Sequence, residues 1–237
     1  MNKKEHNNLK TLAVAFLVAL VCSVIVSLSA VTLKPLQDAN RLGEKSQALL
    51  DMVSALGIDI PKIQLVERTS GKTVQRDNAT TSTLEPEHDI AGLGQIEDVL
   101  TVYELFNDSG IEMVILPVRG AGYKSTLKGY LALKGDLNTI AALTFHQHDE
   151  TPGMGALIME KQWQELWVGK HIADEQGTIR IEVVKGAAST DENKMFEVDG
   201  ISGATRTGKG VSNLVRFWLG PDGYGPYIQR LKSGDKS

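Results

Sequence analysis

Hydrophobic and polar positions follow three different rhythms along this chain. From Thr11 to Leu33 the run TLAVAFLVALVCSVIVSLSAVTL has 23 residues without a charge, a proline or a glycine. As a helix it would reach roughly 35 Å, enough to cross a ~30 Å hydrocarbon core with modest tilt. A secretory signal has a shorter apolar region of about 7–15 residues, although Ser27, Ser29 and Ala30 offer it a cleavage site. A lipoprotein signal is disfavoured by Val21 before Cys22. Residues 37–57 place Leu42, Leu49, Leu50, Val53 and Leu56 at helical spacing, with Gly57 as the stop. This juxtamembrane helix packs either on the domain that follows or on a partner. Residues 68–92 are polar, Thr-rich and aperiodic, which predicts a long loop.

From residue 97 the rhythm shortens to that of strands. VLTVYELF (99–106), EMVILPV (112–118) and TIRIEVV (178–184) have β-branched bias and turn punctuation. Residues 128–148 predict a hairpin around Gly135-Asp136. EKQWQELWVGK (160–170) predicts a short helix and VSNLVRFWLG (211–220) a second, amphipathic one. Strands in runs with few helices predict an α+β fold with a mainly antiparallel sheet behind one transmembrane helix. The expected organisation is a cytoplasmic tail (1–10), the span (11–33), a juxtamembrane helix and loop region (34–98) and a domain (99–237).

Composition narrows the function classes. The 237 residues are 42% hydrophobic and 23% charged, a folded globular balance. A net charge of −4 leaves no basic footprint for nucleic acid. The single cysteine excludes an internal disulfide and a cysteine-clustered metal site. Lys3, Lys4 and Lys10 make the short tail positive and the remainder more acidic, so the tail is expected in the cytoplasm and the large domain across the membrane. The Asn78-Ala-Thr80 sequon has no meaning outside a glycosylating compartment.

Candidate chemistry concentrates in DGISGATRTGKG (199–210), ahead of the amphipathic helix. Gly203 to Lys209 fits the first part of a phosphate loop, but Gly210 stands where Ser or Thr must ligate magnesium. Ser202, Thr205 and Thr207 also suit helix capping. His146 and His148, on one strand face, lack a third ligand at telling spacing, so no metal site is expected. Glu150 reads as a turn-stabilising carboxylate more readily than an acid–base catalyst, and no catalytic residue is assigned. Trp163 and Trp167, four apart, read as one packed helix face, and GYGPY as a docking loop or turn.

Asp199-Gly-Ile-Ser202-Gly203-Ala204-Thr205 resembles the D-x-x-[ST]-G-A-[ST] signature of proteins that carry FMN through a phosphoester bond. His148-Asp-Glu-Thr151-Pro-Gly153-Met154-Gly155 resembles the ETPGLG loop of the same family. Gly120-Ala-Gly122, the Trp163/Trp167 segment ending Gly169-Lys170, and RFWLGPDGYGPYI (216–228) extend the likeness. With the single span, the whole chain resembles the family of C subunits of the sodium-translocating NADH:quinone reductases. Its relatives, the G subunits of Rnf complexes, share the ETPG and SGAT features, and a stand-alone exported FMN-binding module is a further alternative. Two departures stand out. Gly122-Tyr123-Lys124-Ser125 replaces the family's Gly-Leu-Trp-Ser, and Met154 replaces a leucine.

The resemblance implies a covalent FMN on Thr205, attached by a flavin transferase that uses FAD. It implies that Asp199 serves recognition by the transferase. Ser202, Gly203 and Ala204 would surround the attachment point, and Thr151, Gly153 and Met154 would face the flavin. Arg206 and Lys209 add positive charge nearby. It also implies an inner-membrane assembly of six subunits that passes electrons from NADH toward quinone and exports sodium. The large domain would lie in the periplasm and membrane lipid would surround the span. The span itself has no ionisable residue to conduct ions.

Overall fold

A computed structural model describes residues 3–58, 61–76, 80–108 and 110–234, without the side chains of 3–9, 37–39, 41 and 42. Asn78 and Ala79 of the sequon lie outside the described residues. The chain divides into two compact units, Met1–Glu44 and Lys45–Ser237. One helix, α1 (Lys3–Leu56), supplies the first unit and the opening of the second.

In the first unit, Lys10–Leu36 is long and apolar enough to cross a membrane, and none of it is buried in protein. Ser23, Ser29 and Thr32 donate their hydroxyls to the carbonyls of Ala19, Ile25 and Leu28, four residues back. Each hydroxyl is thereby satisfied inside the helix, as a lipid environment demands.

The second unit is built on a six-stranded antiparallel sheet. Its strands are β1 (Lys62–Glu67), β2 (Thr73–Val74), β5 (Val99–Asn107), β6 (Gly110–Ala121), β7 (Thr126–Lys134) and β8 (Ile140–Gln147), in the order β2-β1-β5-β6-β7-β8. β1 pairs with β5 along its whole length, from Lys62↔Glu104 to Glu67↔Val99. The expected boundary at residue 98/99 therefore runs through one sheet, because β1 and β2 supply its edge. The 68–92 segment is mostly loop, yet it contributes β2 and also β3 (Thr81–Thr83), which pairs with β4 (Gln95–Glu97).

Side-chain alternation gives the sheet two buried faces. Val114, Leu116 and Val118 of β6 and Leu127, Leu131 and Leu133 of β7 point into the main core. They meet Val211, Leu214, Val215 and Trp218 of α3 (Thr205–Leu219). Met113, Ile115, Tyr130 and Ala132 point the other way, against Met52 and Val53 at the end of α1. The juxtamembrane helix thus packs on the domain through its end, residues 48–56. It stops where expected, at Gly57 with φ +66°.

Three elements differ from expectation. TIRIEVV keeps only β9 (Glu182–Val183), which pairs in parallel with β10 (Glu197–Val198). Helix 160–170 shortens to α2 (Lys161–Glu165). The GYGPY segment begins as a turn at Gly223-Tyr224, as one reading had it, but its remainder opens α4 (Gly225–Ser233), with Tyr224 and Tyr227 in the core. Tyr224 Oη lies 3.1 and 3.0 Å from the carbonyls of Thr101 and Pro117, and Tyr227 Oη donates to buried Glu104. These tyrosines bind the C-terminus to the sheet.

Candidate functional site: the N-terminus of α3

α3 begins earlier than its apolar spacing predicts, at Thr205, so the second half of the glycine-rich motif is helical. That removes the phosphate-loop geometry, which needs residues 203–209 as a loop. It also explains Gly210, where a Cβ would come within 2.5 Å of the Ala121 carbonyl oxygen. The helix sits tight against the end of β6, and a Ser or Thr there would clash.

The N-cap of α3 is Ala204, which supplies no side-chain acceptor, and no acidic residue lies in the first turn. None of the three nearby hydroxyls caps the helix, contrary to the capping alternative. Ser202 is exposed and lies ahead of the cap. Thr205 is exposed and is the first helical residue. Thr207 is buried, and its Oγ1 donates to Glu150 Oε2 at 2.7 Å. An uncapped helix start presents free N–H groups and the positive end of the dipole, which suits a phosphate. The exposed Thr205 hydroxyl stands at that end, so the residues present fit a phosphoester-linked flavin.

Gly203, at φ +76°, makes the turn into the helix. A Cβ there would lie 3.4 Å from Met154 Sδ. The two family-like motifs, more than forty residues apart in sequence, therefore meet at Gly203 and Met154. Met154 is partly exposed, and Gly153 beside it has φ +74°. The Thr151 carbonyl accepts from the N–H groups of Met154 and Ala156, each at 3.1 Å, and so closes the turn.

Glu150 ties the corner together. It is 4% exposed. Its Oε2 takes the Thr207 hydroxyl, while its Oε1 accepts from the N–H groups of Lys124 (2.9 Å) and Ser125 (3.3 Å) and from the Ser125 hydroxyl (3.3 Å). A Cβ on Gly122 would fall 2.5 Å from Oε1, and one on Gly155 2.8 Å from Oε2. Both glycines are required by the close approach of this carboxylate. Burial pushes the Glu150 carboxyl up, but the bonds from Thr207, Lys124 and Ser125 outweigh it and hold the group below the usual carboxylate range. The turn-stabilising expectation was therefore too modest, since this carboxylate joins the 122–125 loop, the 148–155 loop and α3.

Asp199 faces inward. Its Oδ1 accepts from Ala188 N–H at 2.7 Å, and its carbonyl accepts from Trp163 Nε1 at 3.0 Å. Trp163 and Trp167 pack edge to face at 5.8 Å, the single face their spacing predicts. His146 is half-buried in β8 with its ring 5.5 Å from Tyr130. His148 lies beyond the strand, and its Nδ1 accepts from Glu150 N–H at 3.0 Å. Among the described residues, no three His, Cys, Asp or Glu side chains gather to hold a metal. Sequence spacing gave no hint that the Arg206 guanidinium lies 5.2 Å from the centre of the Tyr123 ring. This cation–π contact holds Tyr123 against the residue that follows Thr205.

Comparison with known proteins agrees with this geometry. Residues 122–220 match the FMN-binding domain family. The C subunit of the Na(+)-translocating NADH-quinone reductase of Pseudomonas aeruginosa is 38% identical, with 98% of this chain and 98% of that protein aligned. The Yersinia pestis protein of the same name is 35% identical over 95% of this chain and 93% of its own length. The crystal structure of Shewanella oneidensis NqrC superposes with a TM-score of 0.72 at 28% identity, covering 81% of this chain and 99% of that one. The crystal structure of the same reductase's C subunit from Parabacteroides distasonis gives a TM-score of 0.54 at 30% identity, covering 71% and 78%. The helix followed by a mainly antiparallel sheet is the architecture that the Shewanella structure shares.

Proposed function

The chain belongs to the NqrC family, the C subunits of the Na(+)-translocating NADH-quinone reductases, and from that premise we propose that it is the membrane-anchored electron carrier of such a complex, with FMN held covalently on Thr205. It is one subunit of an oxidoreductase and carries an FMN-binding domain. The bound flavin supplies the electron chemistry, and the protein sets its position and surroundings. Electrons pass from NADH on another subunit, through this flavin, toward quinone, and sodium export is coupled elsewhere in the assembly of six subunits. The curated relatives carry the quinone-reductase name over nearly their full length, which favours this reading over an Rnf component or a stand-alone module.

Membrane anchoring is supported by the Lys10–Leu36 helix and by the family. We place the N-terminus in the cytoplasm, the span in the lipid of the inner membrane and the large domain in the periplasm, where a flavin transferase meets it. That enzyme joins Thr205 Oγ to the FMN phosphorus as the pyrophosphate of FAD breaks. AMP leaves, and the hydroxyl proton passes to a base on the transferase.

The observation that carries the attachment site is the contrast among hydroxyls around the start of α3. Thr205 is exposed on the first turn, Thr207 is buried and committed to Glu150, and Ser202 lies outside the helix. Arg206 and Lys209 are exposed on the same helix and offer positive charge to a phosphate. Gly203, Ala204, Thr151, Gly153 and Met154 form the surroundings in which we place the flavin.

The test is the intact mass of the denatured chain, co-expressed with a flavin transferase, with peptide mapping. The expected result is one added FMN less water on Thr205. No added mass, with a control substrate modified by the same transferase, would sink the proposal.

A further inference from the structure

The attachment motif is fastened to a neighbouring loop by two carboxylates two residues apart. Asp199 Oδ1 accepts from Ala188 N–H at 2.7 Å, and Glu197 Oε2 accepts from Ser189 N–H at 2.7 Å. Main-chain bonds continue the seam. Gly200 N–H donates to the Gly186 carbonyl at 2.7 Å, and Val184 N–H to the Val198 carbonyl at 2.9 Å. A Cβ on Gly200 would fall 2.2 Å from the Val184 carbonyl oxygen, so the two segments touch along their backbones. From the opposite side Trp163 Nε1 holds the Asp199 carbonyl. Every residue from Glu197 to Gly200 is thus fixed in place immediately ahead of the turn to Thr205.

We propose that Asp199 is a positioning residue for flavin attachment. It locks the 186–189 loop to the motif and so sets the path of the backbone that presents Thr205, and it does not serve the transferase as a ligand or base. This inference rests on the reading of Thr205 as the attachment residue. The carboxylate is half-buried, and one oxygen is already committed to a charge-assisted bond within its own chain. A transferase that took the committed oxygen would have to break the seam that shapes its own substrate. An acceptor at this position keeps the seam closed whether or not it is charged, which separates the two roles.

The experiment measures the rate of covalent FMN incorporation into full-length chains with purified transferase and FAD. The variants are Asp199→Asn, Asp199→Ala and Ala188→Pro, each first shown to be folded by its unfolding transition. Asparagine keeps an acceptor oxygen for Ala188 N–H, and proline removes the donor from the other side. Asp199→Asn should run within about threefold of the wild type, while Asp199→Ala and Ala188→Pro should each be slowed about tenfold or more, the scale of a misplaced reacting group. Amide exchange at Ala188 should stay slow in Asp199→Asn and become fast in Asp199→Ala. If Asp199→Asn is as slow as Asp199→Ala, the charge is what matters and the positioning role is overturned. Ala188→Pro at the wild-type rate would overturn it equally. A wild-type chain that takes no flavin, or a Thr205→Ala chain that does, breaks the attachment reading instead, so the two failures are told apart.

Discussion

The two sides of the central sheet are held by different physics. On the side of α3, the corner around Thr205 is stitched by hydrogen bonds that converge on one buried carboxylate, Glu150. On the other side, the last turns of α1 lie on Leu105, Met113, Ile115, Tyr130 and Ala141 through apolar contact. A polar contact joins them there too, the Tyr130 hydroxyl donating to the Lys45 carbonyl at 3.3 Å. Directional bonds fix where a reacting hydroxyl stands, whereas apolar burial supplies strength with little demand on angle. The corner is therefore built for position and the α1 face for attachment of the helix to the sheet.

Substitutions can break this contrast in order of effect. Thr205→Ala should abolish covalent FMN while leaving the unfolding transition unchanged, and Thr205→Ser should restore attachment; intact mass reads both. Met52→Ala, on the α1 face, should cost about 2 kcal/mol or more of stability by opening a cavity and leave flavin attachment intact, as denaturant unfolding with mass analysis would check. Thr207→Val removes a buried donor from Glu150 and should cost about 1–3 kcal/mol. It should also slow attachment, because the Glu150 bond leads directly to the first turn of α3, whereas Met52→Ala should not slow it.

Acid sharpens the comparison, since His146 on the α1 side and Glu150 on the α3 side are both shifted downward. Burial, with Lys45 and Lys128 adding repulsion, lowers the His146 pKa to about 4. The unfolded chain, with His near 6.5, binds the proton first. Stability is thus full above about 6.5, is lost as the pH falls toward about 4, and levels off below that. Glu150 is depressed from the ordinary carboxylate range, so its contribution persists above the unfolded value of about 4.3 and disappears only as the pH falls through the lower folded value. Melting curves across pH should lose stability first through His146 and later through Glu150. His146→Gln should flatten only the earlier loss.

Much of the fold was legible because its signals are local. The apolar run marks α1, the short β-branched runs mark β5 to β8, and Gly57 ends the helix where a left-handed residue is needed. The start of α3 was not legible, because residues 205–210 carry no apolar period. Their helix is decided by Gly210 packing on Ala121 and by Thr207 reaching Glu150, contacts with residues far away in the chain. The edge strands β1 and β2 were missed for a related reason. β1 pairs non-locally with β5, β2 is only two residues long and pairs with β1, and the faces of both are only partly buried.

At the site, resemblance singled out two motifs, and the structure brings Gly203 of one against Met154 of the other. The motif named Thr205 as the attachment residue by resemblance, but it did not show that Thr207, two residues on, is engaged elsewhere. Only tertiary structure buries one hydroxyl and exposes the other. Nor does sequence show that one oxygen of the Asp199 carboxylate accepts from Ala188 N–H within its own chain. Residue identity determines which chemistry is available, because hydroxyl, carboxylate and apolar run are local properties. Which of those groups remains free to act is settled by burial and hydrogen-bond partners, and these come from parts of the chain that meet only when it folds.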